Sequence, residues 1–219
     1  MIEGVVWDMD GTLLNTEVVA RRSWLQAASE LQIPLTEELC THMTGRRSRD
    51  VDAHLAAALG PTTDIPGLRA LARKFYHEEL DRHMPVKPGA LENLQFLQAL
   101  GIPQAVATST AHDTACKKLA NADMKQFFEH VVGGDQVQEG KPAPEIFHKA
   151  GSLIKVPSNR LIVVEDSGPG IQGAAAAQTT PILVPDLVQY GPEITSLAHR
   201  IFLNLWELLE FFRELFVKK

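Results

Sequence analysis

The chain has 219 residues, room for one sizeable domain or a core domain with a smaller companion, and its 45% hydrophobic and 22% charged residues are those of an ordinary globular protein. A formal net charge of −6 argues against nucleic acid or an anionic membrane as partner, so any phosphate must be held by a local constellation and not by a basic surface. Cys40 and Cys116, the only cysteines, stand far apart in no metal-ligand spacing, and neither a leader pattern nor a membrane-length apolar run is present, so a reducing cytoplasmic setting is expected.

The first apolar run, over 2–7, predicts a buried strand, yet it ends in Asp8 and Asp10, one residue apart, and then Gly11. Alternate residues of an extended segment point the same way, so the two carboxylates are expected to face one point beyond the strand end. Two convergent carboxylates suit a hard cation such as Mg²⁺, and one of them could attack phosphorus while the other handles a proton. Taken alone, a D-x-D at a strand end reads more readily as a solvated turn.

From 16 to 85 no strand pattern is found, only helix-like pieces broken by Pro34, Gly45, Gly60-Pro61 and Pro66-Gly67. A helical insertion of this kind predicts a second, smaller domain over 16–85, with 1–15 and 86–219 forming the core. It leaves from the carboxyl end of the first strand, where open α/β sheets bind ligands, so it is placed as a lid.

Beyond Pro85 the pattern alternates. Strands are predicted over 104–108, 130–133, 161–164 and 181–184, with helices near 89–100, 111–121, 144–154 and 168–177. This is the signature of an α/β fold built on a doubly wound parallel sheet. The second strand runs into Thr108, Ser109 and Thr110 ahead of a helix, which reads either as an anion site or as ordinary capping. Lys141 lies between Gly140 and Pro142 before the next helix, and a lysine so flanked loses less freedom on meeting a phosphate or carboxylate. The strand over 161–164 ends, like the first, in acids: Glu165 and Asp166, followed by Ser167 and Gly168. At the C-terminus, Leu205, Leu208, Leu209, Phe212 and Phe216 recur at helical spacing, a helix packed on its own core or at a dimer contact, consistent with a monomer or weak homodimer. Each feature alone has an ordinary explanation. Together, on one sheet edge, they make a carboxylate cage for a divalent cation with donors for an anion.

DMDGTLLNTE, ATST, GKPAPEIF and VVEDSGPGIQGA, in that order, resemble the four motifs of the haloacid-dehalogenase superfamily, and the insertion over 16–85 is similar to the cap of its phosphatase and phosphomutase branch. The core segments are especially similar to pseudouridine-5′-phosphatase-like and other sugar-phosphate phosphatases. The resemblance implies a Mg²⁺-dependent phosphomonoesterase acting on a small phosphorylated metabolite. Under it Asp8 is the nucleophile that becomes an aspartyl phosphate, and Asp10 the acid and base for leaving group and water. Thr108 and Ser109 contact the phosphoryl group, and Lys141 offsets charge between Asp8 and phosphate. Asp166 binds Mg²⁺ with the Asp8 carboxylate and the Asp10 backbone carbonyl, and Glu165 lies in or near the metal shell. Within the insertion, Thr16 is retained, and of Arg46, Arg47 and Arg49 in TGRRSRDV, Arg47 best matches a substrate-contacting cap position. Two departures stand out: Trp7 where Phe is usual, and Gln178 at a turn position often held by Gly.

A β-phosphoglucomutase-like enzyme shares every core motif, whereas a dehalogenase lacks the second aspartate and a phospho-accepting receiver module lacks the N-terminal D-x-D-G-T. In the mutases a histidine on the first cap helix is thought to restrain the general acid/base. The corresponding position here is Ala20, whose methyl group cannot hold Asp10 aside, although His42 offers a substitute from elsewhere in the insertion. Incubation with β-glucose 1-phosphate and a trace of bisphosphate primer is therefore expected to release inorganic phosphate well in excess of isomerised product; glucose 6-phosphate as the main product would reverse this expectation.

Overall fold

The computed structural model describes residues 2–41, 43 and 48–217. In chain order it forms β1 (Gly4–Trp7), α1 (Thr16–Glu30), α2 (Glu37–Thr41), α3 (Ser48–Leu59), α4 (Ile65–Arg82), α5 (Ala90–Ala99), β2 (Gln104–Ala107), α6 (His112–Asn121), β3 (His130–Val132), α7 (Glu145–Leu153), β4 (Leu161–Glu165), α8 (Gly168–Ala176), β5 (Thr180–Leu183), α9 (Pro192–Thr195), β6 (Arg200–Ile201) and α10 (Leu205–Val217). It separates into two compact units, one comprising Met1–Leu14 with Val86–Lys219 and the other Asn15–Pro85.

The first unit is a six-stranded, all-parallel sheet in the order β3-β2-β1-β4-β5-β6. Every residue of β1, β2 and β4 is buried, as required of strands covered on both faces. Alternation sorts them. Val6, Ala105, Ala107 and Val163 share a cluster with Ile146, Phe147 and Ala150 of α7 and Ala174 of α8. Trp7 points the other way, edge-on to Phe212 of α10 with ring centroids 6.1 Å apart, and α10 packs on α5. Each such fully buried side chain contributes about 1.5–3 kcal/mol. The strand order reverses beside β1, so the carboxyl ends of β1, β2 and β4 border a single crevice.

The second unit packs α1 against α4. Ala27 and Ala28 of α1 meet Leu68 and Ala72 of α4, the three alanines being small enough to permit close approach. Cys40, Met43, Val51, Leu55 and Ile65 form a further cluster. Pro66-Gly67 does not break this region, as the sequence suggested, but opens α4: Asp64 caps the helix by accepting from the Gly67 N–H at 2.9 Å, with proline in the first turn.

Two elements were not foreseen. β6 has two residues, both exposed, and α9 has four, too little chain for a periodic signal. In α10 the apolar stripe is buried as expected at Leu205, Leu208, Leu209 and Phe212, whereas Phe216 is half-buried near the end. Gln178 takes the left-handed conformation (φ 58°) just after α8, a turn that glycine commonly fills, with its N–H bonded to the Ala175 carbonyl. No described helix is long and apolar enough to cross a membrane.

Trp7 also carries a buried hydrogen bond that a phenylalanine would lack. Its indole N–H donates to Gln104 Oε1 at 3.1 Å, and Gln104 Nε2 donates to the Leu94 carbonyl at 3.1 Å. Trp7→Phe would leave the amide oxygen without that donor and is expected to cost about 1–3 kcal/mol of stability, measured by urea unfolding. Adding Gln104→Leu to Trp7→Phe should recover part of that loss, and strict additivity of the two would show the bond to be unimportant.

Candidate active site

Asp8 follows β1 directly, and its N–H continues the ladder to the Val164 carbonyl at 2.9 Å. The side chain is only 5% exposed. Its Oδ1 accepts from Lys141 Nζ at 2.6 Å, and the same ammonium donates to Glu165 Oε1 at 2.6 Å and to the Ala107 carbonyl at 2.9 Å. Lys141 thus joins the ends of three neighbouring strands, β1, β4 and β2, from the loop ahead of α7. The Lys141-Pro142 peptide in that loop is cis.

The charge balance of this cluster is uneven, with two carboxylates facing one ammonium. Burial pushes the Asp8 carboxyl up to about 8; Lys141 pulls it back, while Glu165 and Asp10 add to the rise. For Lys141 burial disfavours the charged form, but Asp8 and Glu165 outweigh it and the amine lies above its ordinary range.

Asp8, Glu165 and Asp166 each bring one carboxylate oxygen to within 4.8 Å of the others. An all-oxygen, anionic donor set of this size with a charge deficit fits a hard divalent cation. Asp166 is oriented by Thr12, whose hydroxyl donates to Oδ1 at 3.1 Å. Gly11 is required here on two counts: its φ is +94°, and a Cβ would fall on the Asp166 carboxylate. Glu165, fully buried, is more committed than the sequence suggested: Oε1 meets Lys141, and Oε2 accepts from the Ser167 N–H at 2.9 Å and the Ser167 hydroxyl at 2.8 Å. Ser167 in turn caps α8 by accepting from the Gly170 N–H.

Asp10 departs from the expectation that it and Asp8 share one focus. Its Oδ1 pairs with Lys118 Nζ at 2.7 Å and its Oδ2 accepts from the Thr110 hydroxyl at 2.7 Å, so each aspartate has its own lysine. The aspartates remain close enough for Asp10 to raise Asp8 electrostatically. Asp10 is accordingly not left at liberty by the alanine at position 20: α6 and the turn before it hold the carboxylate. Thr108, 1% exposed at the end of β2, accepts the Thr110 N–H at 3.1 Å on its hydroxyl oxygen and keeps its own proton to donate. Ser109 is exposed in the same turn. Thr16 is buried at the start of α1, in the helical unit, and Ala20 is half-buried on that helix. Arg46, Arg47 and His42 lie outside the described residues, and Arg49 falls in the first turn of α3.

Thr12, Ser167 and above all Lys118 were not assigned from sequence. Lys118 had a readable signal. It lies on the same helical face as Ala115, Leu119 and Ala122, where a lysine is out of place unless paired.

A doubly wound parallel sheet thus gathers a buried aspartate, a buried lysine and a pair of acids at adjacent strand ends. The family model of the haloacid dehalogenase-like hydrolases matches residues 5–184, and the chain belongs to that family. A phosphorylated carbohydrates phosphatase of Thermotoga maritima is 32% identical over 80% of this chain and 82% of its own length. A HAD family hydrolase of Deinococcus radiodurans, solved with bound phosphate and sodium, superposes with a TM-score of 0.84 at 25% identity, covering 97% of this chain and 96% of its own. The β-phosphoglucomutase of Clostridium difficile has the same fold, with a TM-score of 0.74 at 19% identity over 100% of this chain and 98% of its own.

Gly170 offers a test of the Glu165–Lys141 arrangement from outside the reacting groups. A Cβ there would land on the Glu165 carboxylate. Gly170→Ala is expected to displace Glu165 and with it Lys141, lowering phosphatase kcat by about 10²-fold. Its stability should fall by only about 1–3 kcal/mol, so the folded fraction at assay temperature, followed by circular dichroism, should be little changed. Wild-type kcat in this variant would show that Glu165 does not fix Lys141.

Proposed function

We propose that the chain is a Mg²⁺-dependent phosphomonoesterase that hydrolyses a small phosphorylated sugar, polyol or nucleoside through an aspartyl-phosphate intermediate. The observation that carries this reading is the buried Asp8 carboxylate, held on one oxygen by Lys141 beside a three-acid cluster. Resemblance to a phosphatase of phosphorylated carbohydrates supports the substrate class.

In the first step an Asp8 oxygen attacks phosphorus, the bond from phosphorus to the ester oxygen breaks, and Asp10 gives its proton to the departing alkoxide. In the second, Asp10 takes a proton from water, whose oxygen attacks phosphorus, and the Asp8–phosphorus bond breaks to release phosphate. A carboxylate approaching an anionic phosphate meets repulsion of about 4 kcal/mol per pair of unit charges at 4 Å and an effective dielectric near 20. Lys141 offsets part of that, and Thr108 is placed to donate to a phosphoryl oxygen. Mg²⁺, held by the Asp8 and Asp166 carboxylates and the Asp10 carbonyl with Glu165 beside it, would supply the remaining positive charge and favour the ionised form of Asp8.

The unit over 15–85 is assigned the role of a cap, with Arg46 and Arg47 and the buried Thr16 as its substrate-facing candidates. A phosphomutase is the competing reading, favoured by the shared fold of the β-phosphoglucomutase. A cytoplasmic location is in keeping with the free cysteines, Cys40 and Cys116.

Asp8→Asn is the decisive substitution. An amide cannot form the acyl phosphate, so turnover of any phosphate monoester should fall by at least about 10³-fold, a barrier increase near 4 kcal/mol, with circular dichroism unchanged. Steady-state phosphate release near the wild-type rate would dismiss the covalent route, and full activity after exhaustive chelation would dismiss the metal.

A further inference from the structure

Lys118, which lies in none of the four sequence motifs, forms an ion pair with Asp10 of the first. Lys118 stands on the inward face of α6, between Ala115 and Leu119, and is 8% exposed. Its side chain retains 10% exposure and that of Asp10 22%. Bringing an ammonium out of water is costly, and a fold keeps one there only where it is paired with good geometry. The pairing here is two-pointed. Lys118 Nζ meets Oδ1 and the Thr110 hydroxyl meets Oδ2, both at 2.7 Å. Two donors on opposite oxygens fix both the position of the carboxylate and its rotation, which a single hydrogen bond cannot do.

The second donor is tied to the phosphate side of the site. Thr110 gives its N–H to Thr108 Oγ1 at 3.1 Å, so one short turn sets both the hydroxyl at the end of β2 and the clamp on Asp10. Lys118 is not simply another charge for the phosphate: the ammonium against the Asp8 carboxylate belongs to Lys141.

We propose that Lys118, together with Thr110, is a positioning residue for Asp10, a clamp built into the α/β unit that sets the place and rotation of the proton-handling carboxylate. This rests on the assignment of Asp10 as general acid and base made above. It deepens that reading by adding a residue outside the four motifs to those that orient Asp10.

The clamp has a signature that general loss of structure lacks. An alkyl phosphate needs its leaving oxygen protonated, whereas p-nitrophenolate departs without help. Lys118→Met should therefore lower kcat on an alkyl ester such as glucose 6-phosphate by about 10²-fold with KM within about threefold. The rapid-quench burst of p-nitrophenol from p-nitrophenyl phosphate should stay within about threefold of wild type, followed by accumulation of phosphoenzyme because its hydrolysis also needs Asp10. Lys118→Arg should restore at least a tenth of the lost activity. If Lys118→Met is too unstable to assay, Thr110→Val removes the other donor without stranding a charge and should show the same leaving-group dependence at about tenfold. Equal losses of burst rate on both esters, a rise in KM at constant kcat, or unchanged kcat would each overturn the clamp. The underlying assignment fails separately: wild-type enzyme that forms no acid-stable phosphoenzyme, with Asp8→Asn still active, would remove the covalent mechanism whatever Lys118 does.

Discussion

One buried ammonium organises the site. Lys141 reaches across the strand ends to Asp8, Glu165 and the Ala107 carbonyl, all within 2.9 Å of its nitrogen. A charge so deeply buried survives only if its partners are equally fixed, and each of them is. Asp8 extends the β1–β4 ladder, Ala107 ends β2, and Glu165 is the last residue of β4, with its second oxygen anchored on Ser167. The sheet thus supplies the rigidity, and the lysine converts three separate chain ends into one electrostatic unit. Burial alone would leave the two carboxylates of that unit poorly tolerated; the lysine offsets one charge, and the remaining deficit makes the neighbourhood receptive to a cation.

The strand order explains why this can be done with so few residues. In the order β3-β2-β1-β4-β5-β6, β1 has β2 on one side and β4 on the other, so its successor Asp8 lies between the threonine after β2 and the acids after β4. Groups more than 90 residues apart in sequence meet without any loop having to travel far. A second pairing, Lys118 with Asp10, works one layer away by the same logic, a helix lending a cation to a carboxylate at the strand end.

Much of this was legible before any coordinates. Runs such as those ending at Asp8 and Glu165 are apolar on both parities, which marks a doubly covered parallel strand, and acids at two such ends are costly unless used. The strand boundaries moved by one or two residues, the ordinary scatter of element ends. What stayed hidden was of two kinds. β6 and α9 carry too few residues to produce a period. The focus of Asp10 was hidden because the alternation argument treats the chain beyond Trp7 as still extended, whereas it turns at once: Leu13 and Leu14 both donate back to the Met9 carbonyl, and Gly11 takes positive φ. Lys118 was in plain view on an apolar helix face, but a helix face says that a residue points inward and not which strand end it will meet.

The chain leaves the sheet unit at Leu14 and re-enters it at Val86, and these two residues pair with each other as an antiparallel bridge, with the Lys87 N–H bonded to the Leu13 carbonyl. The helical unit closes its own ends in the same manner, the Asn15 N–H donating to the Pro85 carbonyl at 2.9 Å. Each body therefore ends in a fastened neck, and the closure entropy of the sheet unit depends on that neck and only weakly on how much chain hangs beyond it. Such a join is a socket. Helical bodies of different size and sequence can be exchanged at it while the strands, the lysine and the acids keep their places, so that the choice of what is bound and the chemistry done to it can change on separate evolutionary clocks.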